Sequence, residues 1–113
     1  KDLLIWKKGI VLVVKVYQLT KAFPPEELYA LTSQIKRASV SIPSNIAEGY
    51  GRNTDKSFSH FIDISRGSLC ELETQLIIAK ELGFIVNFEL YNEILELIIE
   101  ESKMINVFSK SLK

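Results

Sequence analysis

Apolar residues recur at three- and four-residue spacing along almost the whole chain, and only three short stretches interrupt them. This spacing places apolar side chains on one face of a helix. The interruptions, FPP at 23–25, GYGRNT at 49–54 and ELGFIVN at 81–87, contain proline, glycine or asparagine. The sequence therefore predicts an all-α fold, an antiparallel up-down four-helix bundle with helices over about 3–22, 26–49, 54–82 and 87–111.

The chain length and charge limit the classes of function. At 113 residues the chain is one domain, residues 1–113, with a single core. Its 14 Lys and Arg balance its 14 Asp and Glu, so bulk charge gives no reason for strong non-specific nucleic-acid binding. The charges are uneven, because residues 1–56 carry nine basic and five acidic side chains, whereas residues 57–113 carry five basic and nine acidic ones.

The single cysteine, Cys70, excludes an internal disulfide and a multi-cysteine metal site, and it is compatible with the cytoplasm. Apolar runs are too short to span a membrane. We expect a cytoplasmic protein with no cofactor, no metal and no membrane association. Cys70 is predicted to be a buried structural thiol and His60 a surface or interface residue. The glutamates are predicted to lie on solvated faces: Glu71, Glu73, Glu81, Glu93, Glu96, Glu100 and Glu101.

The first and fourth segments each carry two apolar stripes. In the first segment they are Trp6, Ile10, Val13 and Tyr17, and Ile5, Leu12, Val16 and Leu19. In the fourth they are Phe88, Tyr91, Leu95, Ile98 and Ile105, and Leu90, Ile94, Leu97, Met104 and Phe108. One stripe suffices for a monomeric bundle, so the second predicts a homo-oligomer, unless it covers loops or widens the core contact. The β-branched run at 10–17 is also compatible with a buried strand.

Pro43 lies in the middle of the second segment, whose apolar face keeps its phase from Leu28 to Ile46. A proline inside a helix removes one hydrogen bond and crowds the preceding turn. We therefore predict a kinked second helix that does not end at Pro43, and a left-handed turn at Gly49 or Gly51 that ends it.

A polar stripe shares this helix at three- and four-residue spacing: Gln34, Arg37, Ser41, Asn45 and Glu48. It is either a contact surface for a ligand or RNA, or an internal polar network that faces Ser65, Ser68 or Arg66.

Two blocks of sequence, QIKRASVSIPSNIAEGYGR and FSHFIDISRGSLCELETQLIIAKELGFI, resemble the 23S rRNA-intervening sequence protein family, and LLIWKKGIVLVVKVYQLTKAFPPEE is similar to its first helix and turn. The resemblance implies a bacterial four-helix bundle that assembles as a homopentamer. It supplies no catalytic residues. A related branch binds nucleic acid and a reverse transcriptase through a strongly basic surface, from which this neutral chain departs.

Two functions remain open at this point. The first is a non-enzymatic oligomeric scaffold for a protein or RNA partner. RNA contacts would come from a basic set, Lys36, Arg37, Arg52, Lys56 and Arg66, unless these charges only solvate the surface. The second is an enzyme or small-ligand binder with a polar site around Arg37, Asn45, Glu48 and Arg66. The absence of a paired acid and base favours the first.

Overall fold

The computed structural model describes residues 3–112, and in that range it contains helices and no strand. The four α-helices are α1 (Leu4–Thr20), α2 (Leu31–Tyr50), α3 (Asp55–Glu81) and α4 (Phe88–Ser111), with a short 3-10 helix at Pro25–Glu27. The all-α four-helix fold is therefore confirmed, and the β-branched run at 10–17 lies inside α1.

Local hydrogen bonds fix the starts of two helices, and a left-handed glycine follows the end of α3. The Thr54 side chain accepts from the Ser57 N–H at 3.1 Å, and the Asn87 side chain accepts from the Leu90 N–H at 3.0 Å. Both residues are N-caps that satisfy a free amide of the first turn. Gly83 adopts a φ of 80°, which lets the chain leave α3 in a left-handed conformation.

The start of α2 differs from the prediction. Residues 25–27 form a 3-10 helix, and α2 begins only at Leu31. Ala30 has φ −121° and ψ −109°. These angles lie outside the helical region, so Ala30 separates the 3-10 helix from α2. The Glu27 carboxylate accepts a hydrogen bond from the Leu31 N–H at 3.3 Å, so a side chain supplies a contact at the new helix start.

The predicted left-handed turn at Gly49 or Gly51 is wrong. Gly51 follows α2 with a φ of −83°, and among residues 3–112 only Gly83 has a positive φ. Gly49 is required for space instead, because a Cβ there would lie 2.8 Å from Cδ1 of Phe58 and 3.0 Å from Cβ of Phe61. The glycine lets α2 approach the start of α3.

Pro43 lies inside α2, which continues on both sides of it, so the prediction that the helix does not end there is confirmed. The Ser65 hydroxyl of α3 donates to the Ile42 carbonyl at 2.9 Å, in a buried position next to this proline. A bend at Pro43 and the up-down order of the whole bundle stay predictions.

Side-chain pairs join the helices in a consistent order. Lys8 of α1 forms an ion pair with Glu100 of α4 at 2.8 Å, and Lys15 pairs with Glu93 at 3.0 Å. These two pairs show that α1 and α4 run in opposite directions. The core between the helices contains residues from every helix, and its fully buried members include Leu12, Ile42, Leu72 and Ile94.

The two apolar stripes of α1 differ in burial. Ile5, Leu12, Val16 and Leu19 are buried in the core. Ile10 and Tyr17 of the other stripe remain exposed, as does Val14 beside them. The second stripe of α4 is buried or half-buried throughout, so on α4 the extra apolar residues widen the contact with the core.

Replacing Gly49 by alanine is expected to destabilise the fold by about 1–3 kcal/mol, because the added methyl group meets a Phe58 ring already packed against Tyr50 and Phe108. Gly67→Ala is the matched control. It lies inside α3 with nothing within 4 Å of its would-be Cβ, so a gain of up to about 1 kcal/mol is expected. Urea denaturation measures the free energy of unfolding of both variants. A change of the same sign in the two variants would contradict the packing role of Gly49.

Candidate functional site

A serine network joins α2 and α3, formed by Ser41, Asn45 and Ser68. The Asn45 amide donates to the Ser41 carbonyl at 2.8 Å and to the Ser41 hydroxyl oxygen at 2.9 Å. The Ser68 hydroxyl donates to the same Ser41 oxygen at 2.8 Å. Since that oxygen accepts both bonds, the hydrogen of the Ser41 hydroxyl is left for a further acceptor.

An open polar groove of about 260 Å³ continues from this network along the two helices. This α2–α3 groove is lined by Gln34, Arg37, Ala38, Ser41, Ser68, Glu71 and Gln75. Gln75 is only 8% exposed, and its Oε1 has no hydrogen-bond partner within residues 3–112. Neither Arg37 nor Glu71 forms an ion pair in the same range.

The basic set predicted for RNA is distributed over several contacts. Lys36 lies over the Tyr17 ring of α1, with its Nζ 4.8 Å from the ring centroid. Arg66 donates to Asp63 and to Asn106, and Asn106 belongs to α4. Lys36 therefore faces α1, whereas Arg66 faces α4.

Arg52 and Lys56 lie on either side of the α2–α3 connection, and both are exposed. Arg52 pairs with Glu48 at 2.6 Å and covers the Phe61 ring at 4.8 Å from its centroid. Lys56 forms no ion pair in the described part of the chain. Of the five basic residues, only Arg37 lines the α2–α3 groove.

The four residues considered for an enzyme or ligand site do not converge. Asn45 bonds to Ser41, Glu48 to Arg52, and Arg66 to Asp63 and Asn106. Only Arg37 of the four has a side chain without such a contact among the described residues. These four residues therefore do not place a catalytic acid and a catalytic base at one reacting atom.

Glu101 is the polar residue whose position the sequence interpretation got wrong. It was assigned to a solvated face, but it is 1% exposed, and neither carboxyl oxygen has a hydrogen-bond partner in residues 3–112. It lies three residues after Ile98 and four before Ile105, both buried, so helical phase carries it inward. That spacing was the available signal.

Three helices meet at Glu101. A Cβ built on Gly9 of α1 would lie 3.3 Å from Glu101 Oε2 and 3.2 Å from the Cβ of Pro43. Burial raises the pKa of the Glu101 carboxyl to about 8, and the positive charge of Lys8 opposes this only in part. At neutral pH the side chain is mostly an uncharged carboxylic acid inside the bundle.

The remaining candidate residues lie at the surface. Cys70 is exposed, so its prediction as a buried thiol is wrong; it lies two positions from both Ser68 and Leu72, which are buried, so helical phase turns its side chain outward. His60 is exposed, and its ring centroid lies 5.3 Å from that of Phe61 in an edge-to-face arrangement. Residues 3–112 bring no three His, Cys, Asp or Glu side chains together as a metal site. No helix in this range is both long and apolar enough to cross a membrane.

These features define the class of protein: an all-α four-helix bundle with a polar network between α2 and α3. The chain belongs to the 23S rRNA-intervening sequence protein family, whose model matches residues 1–107. The resemblance expected from the motifs at 34–52 and 58–85 is thereby confirmed.

A solved structure shares the fold. It is a protein of unknown function from the S23 ribosomal protein family of Bacteroides thetaiotaomicron, 23% identical, with a TM-score of 0.85 over 95% of this chain and 96% of that chain. No curated protein matches this sequence significantly.

The buried Glu101 carboxyl predicts a pH-dependent stability. Its pKa in the folded state, about 8, lies above its ordinary value of 4.5, so the folded chain holds a proton that the unfolded chain releases. The stability that this proton contributes is therefore fully present below about pH 4.5. As the pH rises, the free energy of unfolding falls by up to about 1.4 kcal/mol per pH unit, until the pH passes about 8.

Glu101→Gln is expected to flatten this slope and to raise stability at pH 8, because the amide keeps the shape without a titrating proton. Glu96→Gln, an exposed glutamate of the same helix, is the control and should keep the wild-type slope. Thermal unfolding between pH 5 and 9 measures both; identical profiles for the wild type and Glu101→Gln would contradict the assignment.

Proposed function

We propose that this chain is a non-enzymatic, self-associating scaffold of the cytoplasm that binds a protein or RNA partner. The observation that carries the proposal is the apolar surface on α1 and α2, formed by Ile10, Val14, Tyr17 and Val40. All four side chains are exposed although they are large and apolar. A second copy of the chain is the occupant proposed for this surface.

The apolar surface lies outside a helix whose other face is already buried. Leu12 and Val16 fill the core side of α1, so Ile10, Val14 and Tyr17 have no core position left to occupy. Between α1 and α2 the surface forms an open groove of about 470 Å³ that also includes Val13. Covering apolar area contributes about 25 cal/mol per Å², which favours an interface over a wet surface.

The family resemblance supplies the number of copies, a pentamer; the apolar surface supports only the self-association. Its edge is not purely apolar, because Lys36 lies over Tyr17 and Lys21 lines the groove. Such a rim of charge around an apolar centre is typical of interfaces between copies.

Self-association is tested by a matched pair of isoleucines. Ile10→Lys places a charge in the apolar surface and is expected to lower the mass towards that of a monomer. Ile77→Lys on α3 is the control, because Ile77 has nearly the same exposure, 44% against 40%, and lies outside the surface. Light scattering after gel filtration measures the mass. A wild-type monomer at micromolar concentration, or equal effects of both variants, would rule out this interface.

An RNA partner would rely on the basic residues near the α2–α3 connection. Arg52 is already paired with Glu48, and the whole chain is neutral, so each subunit offers few unpaired charges. Repetition in an oligomer would add such weak contacts together. RNA therefore fits the proposal only as a partner of the assembled scaffold, and a protein partner has no such requirement.

The charge reversal Arg52→Glu with Lys56→Glu tests the RNA partner. If RNA is bound, we expect this variant to lose affinity and to flatten the dependence of log affinity on log salt by roughly 0.7–0.9 per lost contact. Lys80→Glu with Lys110→Glu changes the net charge equally at two other helix ends and should retain more affinity. Absence of wild-type binding at low salt, or equal losses in both variants, leaves a protein as the partner.

A further inference from the structure

We propose that loss of the Glu101 proton to solvent releases α1 from its place against α2 and α4, and that self-association through the apolar surface ends with it. The second step rests on the proposed function, because the apolar surface exists only while α1 lies beside α2. The first step is a property of the single chain, so the two steps are tested by different measurements.

The carboxyl of Glu101 is shut off from water while α1 is in place. The side chain is 1% exposed, and neither carboxyl oxygen has a hydrogen-bond partner within residues 3–112. Its Oε2 lies against Gly9 of α1, where a built Cβ would be only 3.3 Å away, and the same Cβ would be 3.2 Å from the Cβ of Pro43. An ionised carboxylate in this position would be costly, so ionisation requires that a neighbouring helix moves and admits water.

The charged groups of α1 and α4 do not neutralise Glu101. Lys8 of α1 attracts the carboxylate, but its Nζ is bonded to Glu100 of α4 at 2.8 Å. Lys103 of α4 is exposed. Burial therefore dominates and raises the pKa of the Glu101 carboxyl to about 8, with Lys8 opposing it only in part.

The charged groups of α2 and α3 leave the buried carboxyl without a counter-charge as well. Between Arg37 and Glu48, α2 carries no charged residue. On α3, Arg66 is bonded to Asp63 and to Asn106 of α4, in exposed positions. The carboxyl therefore has no cation inside the bundle to which it could turn in place of water.

The helix that moves is α1, because its polar links to α4 lie at the surface. They are the ion pairs of Lys8 and Lys15, whose side chains are about one-third exposed, and such pairs contribute little to stability. The helix on the other side of Glu101, α2, is bonded to α3 instead, through Ser68 and through the buried bond from Ser65 to the Ile42 carbonyl. Displacing α1 breaks surface pairs, whereas displacing α2 breaks hydrogen bonds inside the bundle.

Movement of α1 takes the apolar surface apart, because that surface is shared between two helices. Ile10 follows Gly9 directly on α1, whereas Val40 belongs to α2. Lys36 of α2 lies over the Tyr17 ring of α1, with 4.8 Å from its Nζ to the ring centroid. An interface that needs both helices in one arrangement is lost when one of them shifts.

The sign of the effect follows from the two states of the proton. With α1 in place the carboxyl has a pKa of about 8, above its ordinary value of 4.5, so this closed arrangement holds a proton that the open one releases. The ratio of open to closed chains therefore rises by up to about tenfold per pH unit above pH 4.5 and becomes constant once the pH passes about 8.

The first step is tested by native-state hydrogen exchange of the full chain between pH 5 and 9, corrected for the intrinsic pH dependence of exchange. The backbone amides of Val13 and Val16 on α1 should open more often than those of Leu72 and Leu76 on α3. Their opening should increase by up to about tenfold per pH unit until about pH 8. Equal opening of α1 and α3 at every pH would show that only unfolding of the whole chain responds to the proton, and it would overturn the proposal.

Two variants separate Glu101 from the other carboxylates. Glu101→Gln should make the opening of α1 independent of pH, whereas Glu96→Gln, an exposed glutamate of the same helix, should retain the wild-type dependence. Lys8→Met removes the charge that lowers the pKa of Glu101, so opening should continue to rise to a higher pH than in the wild type. An unchanged limit in Lys8→Met would also overturn the proposal, and this result does not require Glu101→Gln to fold.

The second step is tested by light scattering after gel filtration at micromolar concentration, over the same pH range. The mass of the wild type should fall as the pH rises towards 8, and that of Glu101→Gln should stay at the value found at low pH. An equal fall in both proteins would overturn the link between Glu101 and self-association. A wild-type monomer at pH 6 would overturn this step together with the proposed function, and the exchange of the α1 amides would still decide the first step.

Discussion

The bundle depends on the close approach of three helices at Gly9. The absence of a side chain there allows α1 to lie against Pro43 of α2 and Glu101 of α4, where even a methyl group would come within 3.2–3.3 Å of both. With α1 held this close, its inner face fills the core with Leu12 and Val16. Its remaining apolar residues must then face outward, so the exposed stripe on α1 is a consequence of tight packing on the opposite side.

This close contact also explains the state of Glu101. A charged carboxylate without hydrogen bonds inside the bundle would cost far more than an uncharged one. The raised pKa is the way in which the fold accommodates it. Thr32 and Gln75 are neutral polar groups with unpaired atoms in the same chain, and their cost is smaller, about 1–3 kcal/mol each. Burial therefore changes the protonation of the carboxyl but leaves the two neutral groups chemically unchanged.

The sequence predicted best where local signals decide the structure, at the interruptions of 49–54 and 81–87. Thr54, Asn87 and Gly83 are end signals that act through their own side chain or φ, and the structure uses all three in this way. The start of α2 was missed because Pro24 and Pro25 are equally compatible with a 3-10 helix, and the break at Ala30 has no signal in its residue type.

Residue type misled the interpretation where helical phase decides burial. Cysteine is often buried and glutamate is usually exposed, yet Cys70 lies outside and Glu101 inside. In both cases the neighbouring apolar residues, Leu69 and Ile98, set the phase correctly. Gly49 shows the complementary limit: a glycine serves either backbone conformation or space, and only the position of Phe58 distinguishes them.

The candidate surfaces share a single helix, since α2 presents Val40 to the apolar surface and Arg37 with Ser41 to the α2–α3 groove. Coupling between two sites requires an element with two arrangements that both sites bias. The contacts of α2 oppose such movement: the serine network ties it to Ser68, and Ser65 donates to its Ile42 carbonyl. Because α2 is held on its inner side by these bonds and by Gly49, it has no loose segment through which the groove side could alter the apolar surface. Self-association through the apolar surface should therefore leave the α2–α3 groove unchanged.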